Sequence, residues 1–268
     1  MILHPLSRPA SSSAILPAWD VVAATQKQDS PAWWLIAQPD HAALAGDLAA
    51  RFALPEFGRL DADVVRAIAL HDAGWAKYDG GGEAGGGQGT VMAVVRDPSG
   101  RPMSFLQAPV SMFVEAWSAS IQCAEQKAGA GGGLMVSGHF RRLAQHRLDS
   151  VCDSCEDTGR LHAFLESETK ADERRLRQQR RTGAEVERLV DLLQFCDLLS
   201  LYLCCGSRTC IQFPHLVAGR PVVLRRRGEL CILEPSPFSE QVSLGVTARR
   251  EPASDTEAGV CVLPVLLR

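Results

Sequence analysis

Ala69-Leu70-His71-Asp72-Ala73-Gly74-Trp75 closes a run in which Val64, Ile68, His71, Asp72 and Trp75 fall at i, i+4, i+7, i+8 and i+11. That is the period of one helical face, so the spacing predicts an amphipathic helix with Asp61 as its N-cap. A histidine and an aspartate then occupy the stripe that should face a core. Polar side chains on such a stripe are costly unless they are hydrogen-bonded, neutralised or bound to a cation.

Two more stretches repeat the anomaly. Upstream, Trp33 to Gln38 reads as a short strand, and Pro39-Asp40 opens a helix to about Phe52. Its apolar face runs His41, Leu44, Ala45, Leu48 and Phe52, so His41 stands where a core residue belongs. Downstream, Ala184 to Cys205 is the clearest helix, with Leu189, Val190, Leu193, Asp197, Ser200, Leu201 and Cys204 on its stripe. Asp197 is a carboxylate in the middle of that apolar face. One bound divalent ion would resolve all three costs together. Two imidazoles and two carboxylates suit Mn, Fe, Zn or Mg, one or two ions per chain, and Asp72 is placed to bridge a pair. Water on such an ion becomes a nucleophile near neutral pH. Each residue also has a plainer reading, as a satisfied core histidine or a carboxylate capping a neighbouring helix.

The rest of the chain sets the frame. Residues 1–30 lack a period and are expected to form a poorly ordered leader. Residues 31–268 are expected to form one domain, with a helical core over about 39–205 and a β segment over about 221–268. Val110 to Gln126 and Leu134 to Leu148 read as helices separated by a glycine break from Gly129 to Gly133, with Ser137 and His139 near the start of the second. Gly80 to Gly89 reads as a flexible insertion, and no Gly-Lys-Ser/Thr follows to make it a phosphate loop. Asp97-Pro98-Ser99-Gly100 is a turn, and Glu166 to Arg181 is a solvated helix face. Val222 to Leu224, Leu230 to Leu233 and Gln241 to Thr247 alternate like strands. The expected fold class is therefore mainly α, with a small β-sheet from the N-terminal strand and the C-terminal strands, α+β overall.

The order His41, His71-Asp72, Asp197 resembles the HD-domain superfamily of metal-dependent phosphohydrolases. A closer resemblance is to the family called domain of unknown function 3891. It is carried by Gln38-Pro39-Asp40-His41-Ala42-Ala43-Leu44-Ala45-Gly46, by Ala69 to Trp75, by Asp97 to Phe105, by Ser137-Gly138-His139 and by Asp197 to Cys204. The resemblance implies an HD-domain-like helical core with His41, His71, Asp72 and Asp197 as metal ligands. It also implies His139 as a ligand to a second ion. HD phosphohydrolases often carry a lysine soon after the His-Asp pair; here the nearest is Lys77, displaced behind Gly74-Trp75.

The leading functional expectation is a metal-dependent hydrolase of a phosphate ester or phosphoanhydride. Asp72 and His139 would serve the chemistry, and Lys77 or Arg142 would hold the non-reacting phosphate oxygens. Arg141 and Arg142 equally read as solvated. A second expectation is a di-iron HD-like oxygenase, which the extra His139 keeps open. A third is a non-catalytic domain that binds a small molecule or a partner. His146, Cys152, Cys155 and His162 form a zinc-compatible array, though at the spacing of no familiar zinc motif. The chain has 268 residues, 46% of them apolar, and a formal charge of −3, so no nucleic-acid surface is evident. Its apolar runs fall short of the roughly 20 residues of a membrane span. Nine cysteines, several inside apolar helical runs, read as buried thiols of a reducing, cytoplasmic setting. The expected partner is a small-molecule substrate, and oligomeric state is left open.

Overall fold

The structure is a computed structural model that describes every residue except 8–13, 54–58, 80–93, 218 and 253–259. The glycine-rich insertion expected over Gly80 to Gly89 lies outside the described residues. In chain order the elements are β1 (Ile2–Pro5), β2 (Leu16–Pro17), α1 (Ala18–Lys27), β3 (Trp33–Ile36), α2 (Gln38–Ala49), α3 (Ala62–Ala69), α4 (Ala76–Asp79), α5 (Val110–Ser150), α6 (Cys155–Gln178), α7 (Gly183–Cys204), β4 (Ile211–Val217), β5 (Arg220–Arg227), β6 (Leu230–Glu234), β7 (Val242–Glu251) and β8 (Val260–Leu267).

The strands form one eight-stranded mixed sheet in the order β1-β3-β7-β8-β6-β5-β4-β2. The β2–β4 and β6–β8 pairs are parallel and the others antiparallel. This overturns the expectation of a mainly α chain with a small sheet. Among the described residues helix makes up 54% and strand 22%, and the sheet curls into a half-barrel, so the fold is a substantial α+β one. The β5, β6 and β7 strands match the alternating segments read from the sequence. The unread β1, β2 and β4, and β8 in the expected β region, carry Pro5, Pro17, Pro214 and Pro264. A proline cannot donate to a ladder and breaks the strand signal. The β4 register shifts between Gln212 and Leu216, around Pro214.

Residues 1–30, expected as a leader, hold β1, β2 and α1. The Gln26 amide on α1 accepts from Leu3 N–H and donates to Leu3 C=O, both at 2.8 Å, which ties β1 to α1. Helices and sheet share one core, in which Ile36, Leu48, Ile68, Phe140, Leu193, Phe213 and Leu267 are all buried. Among the described residues no helix is long and apolar enough to cross a membrane.

Three helical details position the site. The two helices expected on either side of the glycine break are halves of α5, which is interrupted at Gly129 (φ 73°, ψ −178°). Helix α3 stops at Ala69, where Leu70 takes φ −110°, ψ 1°. His71 and Asp72 therefore sit in the turn after α3 rather than on its face, and a 3-10 turn, Ala73–Trp75, follows. Gly74 allows this turn to lie directly on α5: a Cβ there would come within 2.0 Å of the Ala116 carbonyl oxygen. The Gly74 N–H donates to Ser120 Oγ at 2.9 Å.

The expected solvated face of α6 is only partly so. Arg175 is 3% exposed and bonds Glu125, Glu168 and Asp172 at 2.7–2.8 Å. Asp172 also accepts from Ser137 (2.8 Å) and Arg141 (3.1 Å), so the charges there join α5 to α6. Asp61 takes the N-cap position of α3 without a side-chain cap bond, because its carboxylate pairs with Arg181. Helix α7 starts with a Thr182–Glu185 capping box.

Candidate metal centre

His41 lies on the first turn of α2, His71 and Asp72 in the turn after α3, His139 on the second half of α5 and Asp197 on α7. The fold brings all five together. His41, His71 and Asp72 offer ligand atoms within 4.8 Å of one another, and so do His71, His139 and Asp197. His71 belongs to both groups. Its ring meets His41 edge-on at 5.1 Å and His139 edge-on at 5.5 Å.

The hydrogen bonds assign the imidazole nitrogens. Ser200 donates its hydroxyl to the Asp197 carbonyl (2.8 Å). Its Oγ must then accept from His41 Nδ1–H, 2.9 Å away. His71 Nδ1–H donates to the Ile68 carbonyl (2.8 Å), which can only accept. Both histidines therefore turn Nε2 toward a carboxylate: His41 to Asp72 Oδ2 at 2.9 Å, His71 to Asp197 Oδ1 at 3.3 Å. Two lone pairs cannot face each other at such distances unless a proton or a cation lies between them. Ligands on one ion at about 2.0–2.2 Å are themselves about 3–3.5 Å apart, so the donor set fits a divalent ion.

The electrostatics agree. Burial pulls the His71 pKa down, but Asp72 and Asp197 outweigh it and raise it to about 9. Burial pushes Asp197 up, but the His71 hydrogen bond and the surrounding imidazoles bring it down to about 2. Burial lowers His139 to about 4 against the attraction of Asp197, so His139 is neutral. Its Nδ1 is buried without a hydrogen-bond partner, and its Nε2 lies 3.8 Å from Asp197 Oδ2. A neutral imidazole with an orphaned nitrogen beside a carboxylate could serve as a metal ligand.

The expected phosphate-holding cations are not part of this cluster. Lys77 pairs with Glu115 on α5, both largely exposed. Arg142 is divided among Glu187, Asp191 and Gln194 on α7. Gln194 thus serves Arg142, while Ser200 serves His41. Cys152 and Cys155 are exposed thiols, and neither they nor His146 and His162 join a metal-type group among the described residues.

A cleft of ≈ 280 Å³ opens over the cluster. Asp72, His139 and Asp197 line it, and so do the aromatic side chains of Trp75, Phe113, Trp117 and Phe140. Gln38, Trp19 and Arg147 also line it, and none was assigned a role from the sequence. Gln38 lies within the stretch that points to His41, and its position at the start of α2 is the only signal that could have singled it out. Arg147 is held by two 2.7 Å bonds to Asp153.

No curated protein and no solved structure matches the chain. One family, described as Protein of unknown function (DUF3891), matches residues 24–251, which takes in every element from β3 to β7 and all five clustered side chains. The chain therefore belongs to the DUF3891 family.

Proposed function

We propose that the chain is a metal-dependent hydrolase of the HD type that cleaves a phosphate ester or phosphoanhydride. The observation that carries this reading is the paired commitment of His41 Nδ1 to Ser200 and His71 Nδ1 to Ile68. It leaves two Nε2 atoms and two carboxylates converging with neutral His139. A divalent ion held there supplies a water of lowered pKa and polarises a phosphoryl oxygen. Asp72 and Asp197 offset the charge of the ion and orient the imidazoles. In the net reaction the water oxygen joins phosphorus, the ester P–O bond breaks, and a water proton ends on the leaving oxygen. His139, neutral and beside Asp197, is placed to bind a second ion or to pass that proton. Lys77 and Arg142 are committed elsewhere, so neutralising the phosphoryl oxygens would fall to an ion held by His41, His71, Asp72, Asp197 and His139.

A second reading, oxygen activation by two irons, is favoured by the aromatic wall of the cleft, which suits an uncharged substrate. Elemental analysis of the untagged protein beside Asp72→Ala, followed by a phosphate-release assay on a panel of esters, separates the two. We expect about one or two equivalents of Mn, Fe or Zn, lost in Asp72→Ala, and phosphate release that needs the metal. Bound iron with oxygen uptake and no phosphate release would favour the second reading. No metal uptake at all would overturn both.

A further inference from the structure

The cleft is aromatic on its walls and polar at only a few points. Trp75 meets Phe113 edge-on at 5.5 Å, Phe113 meets Trp117 at 5.4 Å, and Trp117 stacks on Phe140 at 5.3 Å. Phe140 in turn touches the His139 ring at 4.9 Å. A ladder of rings thus runs along the cleft to the metal cluster. Trp19, at the start of α1, leaves 43% of its surface exposed, an unusual state for an indole that lines a cavity. The cleft offers no free guanidinium among the described residues, because Arg147, the single arginine lining it, is bound twice by Asp153 and lies over the Phe113 ring. One neutral polar group stands out. Gln38 is 2% exposed, and its Oε1 is buried with no hydrogen-bond partner. A buried amide oxygen without a donor is costly, and a ligand N–H or O–H would satisfy it.

Resting on the hydrolase reading for the reaction, we propose that the cleft receives a flat, uncharged aromatic ring of the substrate, whose N–H or O–H edge donates to Gln38 Oε1. The substrate class is then an ester whose leaving group is a donor-bearing aromatic, rather than a polyphosphate or an aliphatic phosphate. The volume, near 280 Å³, admits one or two fused rings beside the reacting group. Rings pack edge-on or offset against such a wall, and aromatic pairs gain beyond plain area burial. A flexible alkyl chain would gain only the latter.

The test uses the metal-loaded full chain and reads binding by calorimetry, independently of turnover. Its probes are indole, 1-methylindole and cyclohexanol. We expect indole to bind about tenfold more tightly than 1-methylindole, which lacks the donor, and more tightly still than cyclohexanol. In Gln38→Leu the difference between the two indoles should vanish, while 1-methylindole keeps its affinity. Trp19→Ala, an exposed position that leaves the core intact, should weaken both indoles several-fold without affecting cyclohexanol. Equal binding of cyclohexanol and indole, or no binding of either indole by a protein that holds its metal, would overturn the proposal. Indole binding by a metal-loaded protein that releases no phosphate from any ester would instead sink the hydrolase reading and leave the aromatic site standing.

Discussion

Ser200 decides which nitrogen of His41 faces the cluster. Its hydroxyl hydrogen is spent on the Asp197 carbonyl, so its oxygen can only accept from His41 Nδ1. Ser200→Ala removes that acceptor and frees the imidazole to rotate or switch tautomer. We expect metal affinity to fall about 10–100-fold with the helical content unchanged. A metal titration followed by circular dichroism checks this, and full affinity in the variant would show that Ser200 does not orient the ring. His71 makes a pH prediction. Its pKa in the folded, metal-free chain is about 9, above its usual value of about 6.5. A raised value means the stabilisation is complete below the unfolded pKa and is lost as pH climbs through the folded one. Chelator-treated protein should therefore melt at progressively lower temperature as pH rises from about 6.5 to about 9. Metal binding must displace the His71 proton, so apparent metal affinity should rise over the same range. A flat melting temperature would remove the charged His71 from the account. His41, His71, Asp72 and Asp197 were legible in the sequence because each breaks an apolar run. Lys77 and Arg142 were misplaced because their anionic partners, Glu115 and Glu187 with Asp191, lie on other helices, and no local pattern records such a pairing.

Among the elements, α5 carries the most constraint. It supports the His-Asp turn at Ala116 and Ser120, it presents His139, and its Ser137 and Arg141 join the buried charges of α6. Gly74→Ala would drive a methyl group into the Ala116 carbonyl oxygen and separate the His-Asp turn from α5. We expect a loss of about 2–4 kcal/mol together with weakened metal binding, since His71 and Asp72 move with the turn. Urea denaturation and a metal titration measure both, and an unchanged variant would show that the turn has slack. Arg175→Met takes the shared cation from Glu125, Glu168 and Asp172, leaving Arg174 on Glu125, Arg141 on Asp172 and no ion-pair partner for Glu168 among the described residues. Breaking a buried charge group in this way costs about 3–5 kcal/mol. Here the metal site should keep its affinity, because the charge group lies between α5 and α6 and not at the cluster. The charge run over Glu166 to Arg181 was read as a solvated face because sequence alone shows charges without their depth. Helix α3 was read too long for a related reason: the periodicity continues through His71 and Trp75, while the backbone has already left the helix at Leu70.

At the scale of the molecule, most helices were legible, and of the sheet only β3, β5, β6 and β7 were. Helices α2, α5 and α7 announce themselves by period. The strands at the margins of the sheet each contain a proline, and the partner of β2 begins only at Ile211. The metal and the fold should be linked as well. An ion that binds only the folded chain stabilises it by about 4 kcal/mol at a thousandfold excess over its dissociation constant. Chelation should therefore lower the melting temperature, and added Mn or Zn should restore it.

The strand order has a further consequence for synthesis. The β1 and β2 strands are separated by only ten residues, yet they occupy opposite margins of the sheet, with α1 packed against both. The partner of β2 begins at Ile211, and that of β3 is complete only at Glu251. At roughly 5–20 residues per second, a ribosome leaves Leu16-Pro17 and Trp33–Ile36 waiting on the order of ten seconds or more for their neighbours. The β2 and β3 strands thus wait on β4 and β7 through most of the intervening synthesis, and during that interval the Trp33–Ile36 strand can pair with β1 on one side while its other margin stays open.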